Sequence, residues 1–267
     1  MLEDILSQMR CPACLSTHLE CSSSMVACAA CGRRYPFRDG ILDFLGDEAA
    51  EVITPFQRIM QSPLVVSIYE RFWRRLGYFL ASSRTFEKEV ATILRLQRPQ
   101  PAGRLLDLAC GPGVFTRPLA RQAGGAVVGL DLSWPMLHQA RRLAQREGLS
   151  NVVLMRGTAF RLPFVDGAFQ HVNCCGALHL FDQPDLALSE IVRVLDPAGG
   201  VSVQTTIRPI HSGGMAYFLE RFIRFGFFDE QDLIRRLELQ GLHILESERH
   251  RISYSFLAAR QPRPATQ

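Results

Sequence analysis

The most informative stretch of this 267-residue sequence is Leu105-Leu106-Asp107-Leu108-Ala109-Cys110-Gly111-Pro112-Gly113. It is an apolar run that ends in a turn of small residues and then enters a helical pattern. Small residues let the backbone approach a ligand closely, and the free amides at a helix N-terminus attract an anionic group. The stretch therefore predicts a strand, a ligand-binding loop and a helix, in that order.

Charge and spacing around this loop indicate what kind of ligand it binds. A nicotinamide-binding loop needs the pattern GxGxxG, but Thr116 stands at the third glycine position. Asp107 would repel a pyrophosphate, whereas it would attract the ammonium of a zwitterionic amino-acid ligand. Asp131 ends the next apolar run, eighteen residues after Gly113, where a carboxylate can accept both hydroxyls of a ribose. The sequence therefore predicts a ligand with an amino-acid part and a ribose part.

Short apolar runs alternate with helical patterns from Gly103 onward. The predicted strands are 104–109, 126–130, 152–155, 168–174 and 200–206, and the predicted helices are 115–122, 134–147, 184–195 and 230–240. This order predicts an α/β fold, with a mostly parallel sheet and helices on both faces. Two final runs, 242–248 and 252–259, are separated by a short turn and predict an antiparallel hairpin that completes seven strands.

Four motifs resemble those of the class I S-adenosylmethionine-dependent methyltransferases, and within them the ubiquinone/menaquinone-methyltransferase-like branch. They are LDLACGPG (106–113), VVGLDLS (127–133), LPFVDGAF (162–169) and EIVRVLDPAGG (190–200). The resemblance covers about residues 103–260. It implies a Rossmann-like methyltransferase sheet with S-adenosylmethionine as the cofactor.

The resemblance also implies which residues bind the cofactor. Asp107, Ala109, Gly111 and Gly113 would frame its methionine part, and Asp131 would bind its ribose. These residues match the family's motifs position by position.

The remaining cofactor residues are expected around the adenine and the methionine ammonium. Leu132 would pack on the adenine, and Thr158 with Ala159 stands where the family has an acidic residue followed by alanine. The hydroxyl of Thr158 replaces a carboxylate, so we expect a weaker hold on the adenine amino group. Cys174 would offer its carbonyl to the methionine ammonium, while its thiol is expected to be packed rather than nucleophilic.

Two CxxC pairs near the start of the chain predict a zinc site. Cys11 and Cys14 form the first pair, and Cys28 and Cys31 follow after thirteen residues. Each turn directs two thiolates to one ion, and two turns complete a tetrahedral site of a structural kind. The alternative is a set of buried structural cysteines without metal. Cys21 is a fifth, unmatched cysteine.

Residues 35–44 read YPFRDGILDF and resemble the small zinc-ribbon proteins that partner and activate RNA and protein methyltransferases. The resemblance covers about residues 8–46, so we assign 1–46 to a zinc ribbon through which a protein partner could bind. Residues 47–102 are predicted as a helical lid and linker, and 103–267 as the methyltransferase domain with a substrate insert at 207–228.

Methyl transfer from a sulfonium needs alignment more than a fixed catalytic motif, so few residues predict catalysis. His179 follows the fourth predicted strand on the substrate side and is the candidate general base, although it could merely line the pocket or cap a helix. His211 is a weaker candidate. Aromatic residues crowd the insert and the helical lid, which suits an apolar or planar small substrate.

The sequence favours a small aromatic or isoprenoid-like substrate, methylated on oxygen or carbon. The alternative is a ribosomal-RNA guanine methyltransferase, which also joins a zinc ribbon to this fold. Against RNA, residues 1–46 carry four arginines and five acidic residues, and the tetrad Asn/Asp-Pro-Pro-aromatic is absent from 173–176. A non-catalytic cofactor-binding scaffold is a third reading. The first seven residues lack the features of a signal peptide, so we expect a cytoplasmic protein.

Overall fold

The computed structural model describes residues 2–46, 74–97, 103–209 and 226–260. Within these residues, the strands are β1 Leu19–Cys21, β2 Met25–Cys28, β3 Arg34–Arg38, β4 Ile41–Asp43, β5 Leu105–Leu108, β6 Val127–Asp131, β7 Val152–Arg156, β8 Phe169–Cys175, β9 Leu195–Thr206, β10 Leu242–His250 and β11 Ser253–Arg260. The helices are α1 Leu2–Leu6, α2 Arg74–Ser82, α3 Phe86–Gln97, α4 Thr116–Gln122, α5 Trp134–Arg146, α6 Pro184–Val194 and α7 Glu230–Leu239, with a 3-10 turn at Leu178–Leu180.

The C-terminal strands form the predicted α/β sheet in the order β7-β6-β5-β8-β9-β11-β10. The first five of these pair in parallel, and the β10–β11 hairpin pairs antiparallel with β9. The predicted fold class and the closing hairpin are therefore confirmed. β9 begins five residues earlier than the sequence suggested, because Leu195 pairs with Phe169 across an irregularity in the register.

Local sequence signals explain where the helices beside β5 and β6 begin. The side chain of Ser133 accepts a hydrogen bond from the amide of Met136 and caps α5, and a proline occupies the first turn of that helix. Pro118 lies in the first turn of α4, where its missing N–H costs little. Both helices therefore start directly after the loops that leave the carboxyl ends of β5 and β6.

The N-terminal strands extend the same sheet rather than forming a separate one. β1 to β4 pair antiparallel in sequence, and β4 then pairs in parallel with β7, with Leu42 opposite Met155 and Asp43 opposite Arg156. The described strands therefore form one eleven-stranded sheet. The sequence did not predict this pairing, because three residues within a cysteine-rich segment carry no signal for a partner strand.

The aromatic lid lies only partly within the described residues. Tyr78 on α2 is buried and Phe79 is exposed. His211 and the other predicted lid aromatics that fall in 47–73 and 210–225 lie outside the described residues, so the lid stays a prediction. In the part of the chain that is described, helices long and apolar enough to cross a membrane were not found.

Candidate cofactor site and cysteine cluster

The loop after β5 has the backbone conformation that its small residues allow. Ala109 and Gly111 have φ values of 55° and 54°, in the left-handed region. A side chain added at Gly113 would place its Cβ 3.3 Å from the Cβ of Ala140, so glycine lets the loop lie against α5. A Cβ at Gly111 would meet nothing within 4 Å, which leaves the space above the loop open to a ligand.

Asp107 is buried beneath this loop and held from two sides. Its Oδ2 accepts a hydrogen bond from the Thr116 hydroxyl at 2.5 Å, and its Oδ1 accepts one from the Asn173 amide at 2.6 Å. Burial raises the pKa of Asp107 to about 6, and these hydrogen bonds oppose the shift. Because this carboxylate is shielded from water, a cationic ligand group placed beside it would stabilise its negative charge.

Asp131 lies at the end of β6, beside the same loop. Its Oδ2 accepts a hydrogen bond from the Gly111 amide at 2.8 Å, and its Oδ1 accepts one from the Ser133 amide at 2.9 Å. Burial raises the pKa of Asp131, while the backbone amides lower it. The carboxylate is thus fixed in position before any ribose arrives, and each oxygen keeps a lone pair that can accept a hydroxyl.

The residues predicted to surround the adenine lie next to Asp131. The carbonyl of Leu132 accepts a hydrogen bond from Nε of Arg156 at 3.1 Å. The Thr158 hydroxyl accepts a hydrogen bond from the amide of Phe160 at 3.1 Å, and this contact stabilises the turn at 158–160. Ala159 is buried at the core edge. The structure therefore brings these three residues and Asp131 to one end of the sheet.

Cys174 and His179 lie on the far side of the site. Cys174 lies near the end of β8, within the strand that the sequence predicts, and burial raises the pKa of its fully buried thiol to about 12. His179 lies in the 3-10 turn that follows, and its Nδ1 is 3.3 Å from the Thr205 hydroxyl. The thiol is packed as expected, and the imidazole is half-buried near the carboxyl end of β9.

A family model described as a methyltransferase domain matches residues 105–199, the segment that carries most of these residues. This chain carries a class I S-adenosylmethionine-dependent methyltransferase domain. An uncharacterized chloroplastic methyltransferase of Arabidopsis thaliana is 32% identical over 242 residues, which cover 85% of this chain and 63% of that protein.

Two further likenesses cover more than half of the chain. A demethylmenaquinone methyltransferase of Lactiplantibacillus plantarum is 35% identical over 161 residues, 58% of this chain and 66% of that protein. This chain thus spans somewhat less than two thirds of either relative's length. A chain in the complex between the Haloferax volcanii Trm112 methyltransferase activator and a methyltransferase superposes with a TM-score of 0.61 at 17% identity, over 79% of this chain and all of that one. That likeness shows the fold alone.

The four cysteines predicted as zinc ligands converge in the ribbon. Their Sγ atoms all lie within 4.8 Å of one another, with Cys11 3.6 Å from Cys31 and Cys14 3.5 Å from Cys28. Four thiolates about 2.3 Å from a common ion would have similar separations, so the donor set fits tetrahedral zinc. The Tyr35 hydroxyl lies 3.0 Å from Sγ of Cys11 and can orient that ligand.

Three residues that position the candidate cofactor site were not predicted from the sequence. Thr116 and Asn173 hold Asp107, and Arg156 holds the Leu132 carbonyl. Asn173 did carry a signal, since an amide within an apolar strand needs a partner. The GxGxxG comparison shows Thr116 only as a missing glycine, and the partners of Arg156 lie too far away in sequence to predict.

Proposed function

We propose that the protein transfers the methyl group of S-adenosylmethionine to an oxygen or carbon atom of a small aromatic or isoprenoid-like molecule. The observation that carries this is the pair of carboxylates, buried Asp107 and half-buried Asp131, at the carboxyl ends of neighbouring parallel strands within a matched methyltransferase domain. A ligand with a cationic amino-acid end and a ribose satisfies both carboxylates.

In this proposal the cofactor supplies a methyl group already activated by its sulfonium. Asp107 attracts the ammonium, and the open space above Gly111 receives the methionine part. Asp131 accepts the ribose hydroxyls, while Leu132 and Ala159 flank the adenine. Thr158 binds the adenine amino group more weakly than a carboxylate would, because its hydroxyl carries no charge and also accepts the Phe160 amide. These residues align the methyl group with the acceptor and exclude water.

His179 is the proposed general base. The Thr205 hydroxyl, 3.3 Å from Nδ1, orients the ring at the edge of the site. A neutral imidazole there can take the proton of a phenol, which raises the electron density on the phenolate oxygen and on its ring carbons. Either atom then becomes the better nucleophile toward the methyl group.

Asn173 supports this substrate class over RNA amino groups. Both ends of its amide are engaged within the strand layer, since Nδ2 donates to Asp107 and Oδ1 accepts from the Ser202 hydroxyl at 3.1 Å. It is also 1% exposed and so cannot contact an acceptor amine. The likeness to a demethylmenaquinone methyltransferase, at 35% identity, supports a small quinone-like acceptor.

The ribbon is proposed to hold one structural zinc ion through Cys11, Cys14, Cys28 and Cys31. Four protein thiolates fill the coordination of zinc and leave no position for water or substrate. The ion would therefore stabilise the ribbon and take no part in methyl transfer. A protein partner that binds through the ribbon stays a proposal.

The test offers total ribosomal RNA and a small-molecule extract side by side to the purified protein with labelled cofactor. We expect label in the extract, and we expect His179→Ala to lower the rate by about 100-fold or more while cofactor binding is retained. Label at one RNA nucleotide with none in the extract would overturn the substrate class. No cofactor binding in titration would overturn the activity itself.

A further inference from the structure

We propose that Asp43 in the ribbon is a positioning residue for S-adenosylmethionine, acting through Arg156 on the segment that binds the ribose and adenine. The inference rests on the proposed function, because it takes Asp131 and Leu132 as cofactor residues. It gives the ribbon a role in cofactor binding that goes beyond metal-dependent folding.

The first step is the buried contact between β4 and β7. Asp43 is completely buried, and one oxygen, Oδ1, accepts the amides of Leu45 at 3.1 Å and Gly46 at 3.2 Å. The same oxygen lies 3.2 Å from Nη1 of Arg156. The amide of Phe44 donates to the Arg156 carbonyl at 2.9 Å, so backbone and side chain join at this point.

The second step leads from Arg156 to the cofactor segment. Its Nε donates to the Leu132 carbonyl at 3.1 Å, and its guanidinium lies 5.2 Å from the centre of the Trp134 ring at the start of α5. Its backbone pairs with Asp131 in the sheet. A guanidinium is planar and rigid, so partners that fix Nη1 also fix the direction of Nε.

A separate apolar contact ties the same ribbon strand to the other side of the site. Ile41, at the start of β4, is completely buried in a cluster with Cys110, Leu137, Ala140 and Leu154. Cys110 belongs to the loop that frames the methionine part, and Leu137 and Ala140 belong to α5. The ribbon strand therefore supports both the loop after β5 and the segment after β6.

Removal of the Asp43 carboxylate leaves Arg156 buried with Gly46 as its remaining partner at Nη1. A buried guanidinium short of acceptors turns toward water, and this movement withdraws Nε from the Leu132 carbonyl. The segment 131–134 then has more conformations to lose on binding. The cost appears in cofactor affinity, although no ribbon residue needs to touch the cofactor.

The experiment measures S-adenosylmethionine affinity by titration calorimetry for full-length, zinc-loaded protein. We expect Asp43→Ala to weaken binding by about tenfold, within the usual range of coupling between sites. Asp43→Asn should weaken binding less than Asp43→Ala, because its side-chain oxygen can still accept the three donors that converge on Oδ1, while the negative charge and the Oδ2 acceptor near Arg38 and Arg156 are lost. Arg156→Lys should also weaken binding, since one ammonium cannot serve both Asp43 and Leu132.

A control for the loss of an ion pair with the ribbon is Asp166→Ala, although Asp166 is 75% exposed where Asp43 is buried. Asp166 also pairs with a ribbon arginine, Arg10, at 3.5 Å, but its other partner is Arg193 and not the cofactor segment. We expect this variant to keep wild-type affinity. An equal loss in Asp166→Ala would overturn the inference, because the effect would then be general loosening of the ribbon.

Zinc content and circular dichroism separate positioning from folding. An unchanged affinity in folded, zinc-loaded Asp43→Ala would overturn the inference. If Asp43→Ala loses zinc or unfolds, Arg156→Lys decides, and unchanged affinity in that variant has the same consequence. If the wild type itself fails to bind the cofactor, the proposed function is wrong, and the role of Asp43 is overturned together with it.

Discussion

Asp131 meets two backbone amides before a ligand binds, which makes it a test of the ribose assignment at the scale of one residue. We predict that Asp131→Ala weakens S-adenosylmethionine binding by about 100-fold or more without unfolding the protein. Two charge-assisted hydrogen bonds to the ribose are lost, each worth roughly 1.5–3 kcal/mol. Titration calorimetry measures the change.

The matched control for this prediction is Asp196→Ala. Asp196 accepts the amide of Ala198, two residues along, just as Asp131 accepts that of Ser133, but it lies at the start of β9. We expect no change of affinity in that variant. An unchanged dissociation constant in Asp131→Ala would show that another group binds the ribose.

Asp107 predicts a pH dependence of stability in the absence of cofactor. Burial raises its pKa from 3.8 to about 6, so the folded protein holds this proton more tightly than the unfolded chain. The stabilisation is complete below pH 3.8 and is lost as the pH rises through 6. It amounts to about 3 kcal/mol at most, at 1.36 kcal/mol per pKa unit.

The measurement compares urea unfolding of wild type and Asp107→Asn between pH 4 and 7. We expect the free energy of unfolding of the wild type to fall relative to that of the variant over this window. Burial lowers the pKa of His171 to about 3. His171 and the other buried groups are present in both proteins, so their contributions to the difference in unfolding free energy cancel. A constant difference between the two proteins would contradict the raised pKa of Asp107.

The residues that could be predicted are those whose role depends on nearby sequence. Asp107, Gly111, Gly113 and Asp131 follow from a strand that ends in a small-residue turn, and the structure brings them together as expected. Partners such as Asn173 depend on which strands become neighbours. Sequence distance hides such pairs until the sheet order is known.

At the scale of the element, the four clustered cysteines of the ribbon predict how much zinc the protein contains. We expect about one zinc per chain in freshly purified, reduced protein, because four sulfur atoms converge within 4.8 Å. Cys14→Ser should bind zinc much more weakly. Cys21→Ser should bind zinc as tightly as the wild type, since Cys21 is exposed and lies outside the cluster. Metal analysis of the three proteins gives the answer. Zinc-free wild type, or equal loss in both variants, would refute the assignment.

For the ribbon, the sequence predicts the metal site but not the strand pairing. Its cysteine spacing predicts a metal site, because two CxxC turns have few other uses. Its last strand, β4, is three residues long and completely buried, so it shows no alternation of apolar and polar residues. Only the parallel pairing with β7 reveals that the ribbon is part of the sheet.

At the scale of the whole molecule, the ribbon and the methyltransferase domain share one hydrophobic core. Ile5, Met9, Val26 and Leu42 pack in the same buried cluster as Phe164. Backbone hydrogen bonds cross the boundary as well, from the Arg10 amide to the Pro163 carbonyl at 3.1 Å and from the Val165 amide to the Gln8 carbonyl at 2.9 Å. Unfolding of the ribbon would therefore expose apolar side chains of the domain.

This continuity predicts how the protein melts. We expect one cooperative transition in differential scanning calorimetry of the zinc-loaded protein, since neither part keeps its core alone. Removal of zinc by a chelator should lower the Tm of that whole transition by at least about 6 °C. At roughly 2 °C or more per kcal/mol for a chain of this size, that shift needs at most about 3 kcal/mol, well below the roughly 10–16 kcal/mol that structural zinc can contribute to folding. Two separate transitions, with only the smaller one sensitive to the chelator, would instead show that the ribbon folds as an independent module beside the sheet.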